Sequence, residues 1–101
     1  MDMNKMMKQV QKMQAELAKA QEELAQAVVE GSAGGGAVKV EFTGQEASRV
    51  TIDPAAVDPE DPGLLEDLIR AAINEGLRAQ QALAAERLGP LAGGMSLPGM
   101  H

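Results

Sequence analysis

Apolar residues in the first thirty positions recur at alternating steps of three and four. We call this set the apolar seam; its members are Met3, Met6, Val10, Met13, Leu17, Ala20, Leu24 and Ala27. The spacing is the a/d pattern of a heptad repeat, which predicts one long helix packed lengthwise against another. No glycine or proline between Asp2 and Glu30 interrupts it. The pattern leaves open whether the seam packs within one chain or between two.

Period-two alternation replaces the helical pattern after Ala27. It predicts two strands, at residues 37–43 and 47–53. The residues predicted to face the core are Val38, Val40, Phe42, Val50 and Ile52. Residues 28–33 are a candidate third strand, which gives an antiparallel meander of two or three strands.

A run of three glycines at residues 34–36 separates the candidate third strand from the next one. A phosphate-binding P-loop needs a lysine and a hydroxyl residue at its end, followed by a helix. Here Ala37 and a strand follow instead. The glycines therefore predict a hairpin turn with positive φ angles.

A second long helix is predicted from Leu64 to Leu88. One face of it is formed by apolar, small and amide residues, namely Leu65, Leu68, Ile69, Ala72, Ile73, Gly76, Leu77, Gln80 and Leu83. A glycine on a buried helix face, here Gly76, predicts close approach of another backbone. The class is thus α+β, with a long N-terminal helix, a small antiparallel three-stranded meander and a long C-terminal helix.

The ends of the second helix carry recognisable signals. Asp58-Pro59 and Asp61-Pro62 both fit a capping residue followed by proline at the first helical position. Gly89-Pro90 is predicted to stop the helix. We therefore expect one domain over residues 1–90 and a flexible tail rich in Gly, Met, Leu and Pro over residues 91–101.

Composition limits the core and the chemistry. The chain has one Phe, no Trp, no Tyr and no Cys, so the core is small and oligomerisation is the expected source of extra burial. No base–nucleophile pair, metal-ligand cluster or cofactor fingerprint occurs, and the carboxylates near residues 58–67 are explained by helix capping. We expect a non-enzymatic, cytoplasmic protein without cofactor or metal, and no membrane-spanning or signal segment is evident.

The net charge of −6 is unevenly distributed. Residues 1–15 carry +2, residues 16–69 carry −9, and residues 70–101 carry +1. The acidic residues therefore lie in the middle of the chain, and both ends are mildly basic.

Three lysines lie roughly opposite the apolar seam on the first helix, and we call Lys5, Lys8 and Lys12 the lysine stripe. Two interpretations are open: an ordinary solvated face, or a row of cations that follows a phosphate backbone. Lys19 is expected to be neutralised by Glu16 and Glu23, whereas the stripe has only Asp2 nearby. The methionines of the seam also have two interpretations, as packing residues or as an adaptable binding groove.

Several segments together resemble the YbaB/EbfC family of bacterial nucleoid-associated proteins. They are MNKMMKQ at residues 3–9, QKMQ at 11–14, VEGSAGGGAVKV at 29–40, IDP at 52–54, LLEDLI at 64–69 and AAIN at 71–74. Each is weak alone, but they cover nearly the whole chain in order. The strongly acidic overall charge is a departure from the family pattern.

The resemblance implies an α-β-β-β-α homodimer whose sheets join at the centre and whose helices project as the arms of a tweezer. It also implies binding to double-stranded DNA with little sequence specificity and a change in DNA conformation. Nucleoid organisation, gene regulation and a place on the nucleoid follow from the same resemblance. Family members usually contact DNA through the projecting helices.

The charge layout independently fits an arm made of both helices. If the helices run antiparallel, their free ends lie together and combine the candidate DNA-binding residues Lys5, Lys8, Lys12, Arg78 and Arg87. The acidic middle would then form the dimer body and repel DNA from all but the arm tips. The alternative function is a non-enzymatic protein-interaction module, in which the Met-rich seam captures a partner helix.

Overall fold

The structure, a computed structural model, describes residues 2–93. Its elements are helix α1 (Met3–Gln26), strands β1 (Val28–Ala33), β2 (Val38–Thr43) and β3 (Glu46–Ile52), a 3-10 turn (Pro54–Ala56) and helix α2 (Pro62–Gly93). The α+β class and all three predicted strands are confirmed. The part of the predicted tail from residue 94 onward lies outside the described residues.

The three strands form one antiparallel sheet in the order β1-β2-β3. The predicted hairpin turn joins β1 to β2, and Gly34, Gly35 and Gly36 all have positive φ angles there. A bulge interrupts the pairing of β2 with β3 after Glu41. This meander places the middle strand, β2, between two partners and leaves β1 and β3 as the two edges.

Helix α2 covers one face of the sheet and forms the core with it. Val38, Val40, Phe42 and Ala72 are buried, with six partly buried hydrophobic neighbours packed around them. The neighbours are Val29, Ala33, Ile52, Leu65, Leu68 and Ile69. The predicted face of α2 is therefore confirmed from Leu65 to Ala72, whereas Ile73 and Leu77 remain 36% and 40% exposed.

Helix and sheet touch most closely at two glycines. A Cβ added to Gly31 in β1 would collide with the backbone of Ala72 and Gly76, and one added to Gly76 would collide with the Phe42 ring. The predicted close approach of a backbone at Gly76 is confirmed. Because these two glycines lack side chains, α2 lies directly on β1.

Val50 differs from the prediction that it faces the core. It pairs with Val40 across the strands, but its side chain remains 55% exposed. The reason is the path of α2, which packs on β1 and β2 and leaves β3 uncovered. Only Ile52 of β3 reaches the core.

The structure defines the start of α2 and tests its predicted stop. The Asp61 carboxylate accepts a hydrogen bond from the Leu64 amide at 3.3 Å, so Asp61-Pro62 begins the helix, while Asp58 caps the preceding turn. The predicted stop at Gly89-Pro90 is wrong, because α2 continues to Gly93 with Pro90 inside it. The proline removes one hydrogen bond to the carbonyl of Glu86, an exposed residue where water can replace it.

The chain is elongated, with extents of 72 × 29 × 15 Å. Its radius of gyration is 19.8 Å, against about 13 Å for a compact chain of this length. The two helices pack antiparallel only near the sheet, where Arg87 of α2 contacts Glu23 of α1. At 1.5 Å per residue, α1 extends roughly 20 Å beyond the level of Gly93.

Candidate nucleic-acid interface

The lysine stripe lies on the projecting half of α1. Lys5, Lys8 and Lys12 are exposed and fall within an arc of about 60° on the helix, roughly 145° from the centre of the seam. Asp2 starts this helix by accepting a hydrogen bond from the Asn4 amide at 3.0 Å. The helix therefore presents three cations in a row about 10 Å long, away from the sheet.

Ion pairing on α1 differs from the prediction. Lys12 Nζ lies 4.0 Å from a Glu16 carboxylate oxygen, so Lys12 has an acidic neighbour that the prediction missed. Lys19, expected to be neutralised, makes no ion pair among residues 2–93, because Glu16 faces Lys12 and Glu23 faces Arg87. An exposed i,i+4 pair at this distance is weak, and the stripe remains available to an anion.

The two predicted arginines do not join the lysine stripe within one chain. Arg87 Nη1 donates to a Glu23 carboxylate oxygen at 3.0 Å, which places it roughly 27 Å along α1 from Lys5. Arg78 is exposed and lies a further 13 Å or so toward the sheet along α2. The prediction that the free ends of both helices combine these five residues is therefore wrong for a single chain.

The reason for this difference is the level at which the two helices meet. The sequence indicates where each helix starts and ends, but not which residue of α2 lies beside which residue of α1. The Arg87–Glu23 pair links residues 64 positions apart, and no periodicity signals it. The Lys12–Glu16 pair, in contrast, had a visible i,i+4 signal.

The projecting half of α1 also exposes most of the apolar seam. The exposed fractions are 73% for Met3, 45% for Met6, 52% for Val10, 37% for Met13 and 41% for Leu17. Only toward the sheet does the seam pack, and Ala20 is buried there. Within one chain, therefore, only this last third of the seam is packed.

The candidate interface offers charge and hydrogen bonding. Within residues 2–93, no three His, Asp or Glu side chains are grouped closely enough to hold a metal ion. No helix in that part of the chain is long and apolar enough to cross a membrane. An exposed row of lysine ammonium groups is suited to contacting phosphates, and phosphate contacts position a protein on DNA without reading its bases.

Comparisons with known proteins identify the family. The model of the YbaB/EbfC DNA-binding family matches residues 1–95. A "nucleoid-associated protein" of Desulforamulus reducens is 53% identical over 100 residues, covering 98% of this chain and 95% of the relative. One from Nocardia farcinica is 52% identical over 101 residues, covering 98% and 91%. The crystal structure of an uncharacterized Helicobacter pylori protein matches with a TM-score of 0.67 and 26% identity, covering 94% of this chain and 97% of that one. The chain therefore belongs to the YbaB/EbfC DNA-binding family.

Proposed function

We propose that this chain is a non-enzymatic, homodimeric nucleoid-associated protein of the cytoplasm. It binds duplex DNA with little sequence specificity, alters DNA conformation, and so contributes to nucleoid organisation and gene regulation. The observation that carries this proposal is the exposed lysine stripe on a helix that projects beyond the rest of the chain. Family membership favours this function over a protein-interaction module.

The lysine stripe is the main DNA contact in this proposal. Lys5, Lys8 and Lys12 lie on the half of α1 that projects from the sheet, so a duplex can approach them while meeting few of the acidic residues in 16–69; Glu16, 4.0 Å from Lys12, is one that it does meet. Arg78 and Arg87 are secondary contacts closer to the sheet. Arg87 reaches a phosphate only by leaving Glu23, so its net contribution is smaller.

The proposed homodimer forms through the β3 side of the sheet. β3 has a free pairing edge, and exposed apolar side chains accompany it, with Val50 at 55% and Val57 at 50% exposed. Exposed strand edges are templates for pairing with another chain. Joining two sheets there leaves both copies of α1 projecting as the two arms.

Salt dependence tests the proposal directly. Binding of duplex DNA is expected to weaken as salt rises, with log K falling linearly with log salt. If three lysines on each of two arms neutralise phosphates, the slope is about −5; one engaged arm gives about −3. Fluorescence anisotropy with a labelled duplex, repeated at several salt concentrations, measures this slope.

Duplexes of different base composition provide the control. Because phosphate contacts carry no sequence information, their affinities are expected to agree within a few-fold at each salt concentration. Absence of any complex at low salt would contradict the DNA-binding function. A strong preference for one sequence would contradict the phosphate mechanism but leave DNA binding itself intact.

A further inference from the structure

A continuous apolar surface remains on the projecting half of α1. We call the exposed residues Met3, Met6, Val10, Met13 and Leu17 the N-terminal seam. Met3, Met6 and Val10, together with Met7 and Gln11, line a shallow recess there. An exposed apolar row of this length marks an interaction surface, and it lies on the opposite side of the helix from the lysine stripe.

We propose that the N-terminal seam docks against the same segment of a second copy of this chain, with the two helices antiparallel. The first argument is the heptad spacing, because a/d positions from two helices interlock as knobs into holes. In the segment outside the α2 contact, this pattern is complete over residues 3–17. The surface therefore has the periodicity that a second copy would match.

The residues beside the seam permit identical chains to meet. The e and g positions of residues 3–17 are Met7, Gln9, Gln14 and Glu16. Only one of these four is charged, so little like-charge repulsion opposes self-association. The lysines occupy the c and f positions and stay on the outside of the pair, where phosphates can reach them.

The position of α2 selects the antiparallel orientation. In each chain α2 lies beside α1 near Leu24 and Ala20, at the end of the seam closest to the sheet. Two parallel helices would bring both copies of α2 to the same level between them, where they would collide. Antiparallel helices instead place the two sheets at opposite ends of the pair.

Charge favours the same orientation. Glu16 is the one acidic residue of the segment 3–17, whose cations are the three lysines of the stripe. An antiparallel pair sets Glu16 of each copy at the level of Lys8 of the other, while a parallel pair sets the two Glu16 carboxylates at the same level. Antiparallel helix dipoles add to this preference.

This contact is separate from the β3 edge proposed above for the homodimer. Together the two interfaces would join homodimers into larger assemblies with lysine stripes on their outer surfaces. Because the seam lies on a different element from β3, either interface can fail without the other. Solution mass therefore tests them separately.

The decisive variant is Val10→Glu, with Ala15→Glu as its matched control on the opposite side of α1. Val10 is already 52% exposed in the single chain, so the variant is expected to fold, which circular dichroism checks. A carboxylate at the centre of an apolar contact disfavours it strongly. Sedimentation velocity over a concentration series is expected to give the mass of the homodimer for Val10→Glu and the larger wild-type mass for Ala15→Glu.

The possible masses lead to distinct conclusions. A change from tetramer or larger to dimer supports both interfaces. A change from dimer to monomer supports the seam contact and overturns the β3 homodimer. Equal masses for wild type and Val10→Glu at every concentration overturn the seam contact between two copies. The same result is expected if the seam binds a different protein, so that case also overturns the proposal.

Cross-linking tests the orientation, since the chain contains no cysteine of its own. An antiparallel pair brings Met6 of one copy beside Leu17 of the other. A mixture of Met6→Cys and Leu17→Cys chains is therefore expected to cross-link with a short bismaleimide reagent more than either chain alone. Preferential cross-linking of Met6→Cys with itself overturns the antiparallel arrangement.

Discussion

Replacing Lys5, Lys8 and Lys12 together with glutamate is expected to abolish duplex binding. Each lost phosphate contact that weakens affinity about tenfold corresponds to about 1.4 kcal/mol, so three contacts on one arm give roughly a 1,000-fold loss. The introduced carboxylates repel phosphates and increase the loss further. Anisotropy titration at low salt measures it.

The control for this variant must change the net charge equally. Reversing Lys39, Arg49 and Arg70 to glutamate does so on exposed positions of the sheet and the start of α2. Because these residues lie within the acidic body, their reversal is expected to reduce affinity much less. Equal losses in the two variants would mean that binding follows total charge, and unchanged binding in the first would exclude the lysine stripe.

Single neutral substitutions refine the assignment. Lys5→Gln is expected to weaken binding to all sequences alike and to reduce the steepness of the salt dependence by about 1 for each engaged arm. Arg87→Gln is expected to change the affinity and the salt dependence less, since Arg87 is already paired with Glu23 at 3.0 Å. Comparing the two variants shows whether Lys5 or Arg87 contributes more to DNA affinity.

The substitution Gly31→Ala is expected to have the largest effect on stability. The added Cβ would collide with backbone atoms of Ala72 and Gly76, and backbone atoms cannot rotate away as a side chain can. Overpacking of this kind costs about 3 kcal/mol or more. For a domain of this size, that loss lowers the midpoint of thermal unfolding by roughly 12–24 °C.

Gly63→Ala is the matched control for this second prediction. It makes the same change in the first turn of α2, where a Cβ would meet its nearest neighbour at 3.8 Å, an ordinary contact. Its effect is expected to be neutral or stabilising by up to about 1 kcal/mol, because alanine favours helix. Calorimetric unfolding midpoints that are equal for the two variants would contradict the close crossing of α2 over β1.

The sequence predicts those features that depend on local periodicity. The heptad spacing of α1, the alternation of Val38, Val40 and Phe42, and the glycine turn each correspond to an observed element. In these cases, the physical cause acts within a few residues, through helix and strand geometry or a positive φ angle.

The features that the sequence did not predict depend on the path of α2. Val50 has a core-facing position in its strand, yet it is exposed because α2 passes over β1 instead. The unpacked N-terminal seam has the same origin, since α2 lies beside only the part of α1 that is nearest the sheet. Which face of a sheet a helix covers, and at what level two helices meet, are long-range properties that periodicity does not contain.

The C-terminal end of α1 meets the β2–β3 turn and helix α2. A single residue, Ala27, links α1 to β1, and its carbonyl accepts a hydrogen bond from the Gly44 amide at 2.9 Å. The Gly44 carbonyl in turn accepts one from the Gln80 side chain of α2. Because α1 is about 36 Å long, a rotation of about 10° at this joint moves the end at Met3 by roughly 6 Å. In the proposed homodimer, a small change in backbone geometry beside Gly44 would therefore change the distance between the two lysine stripes.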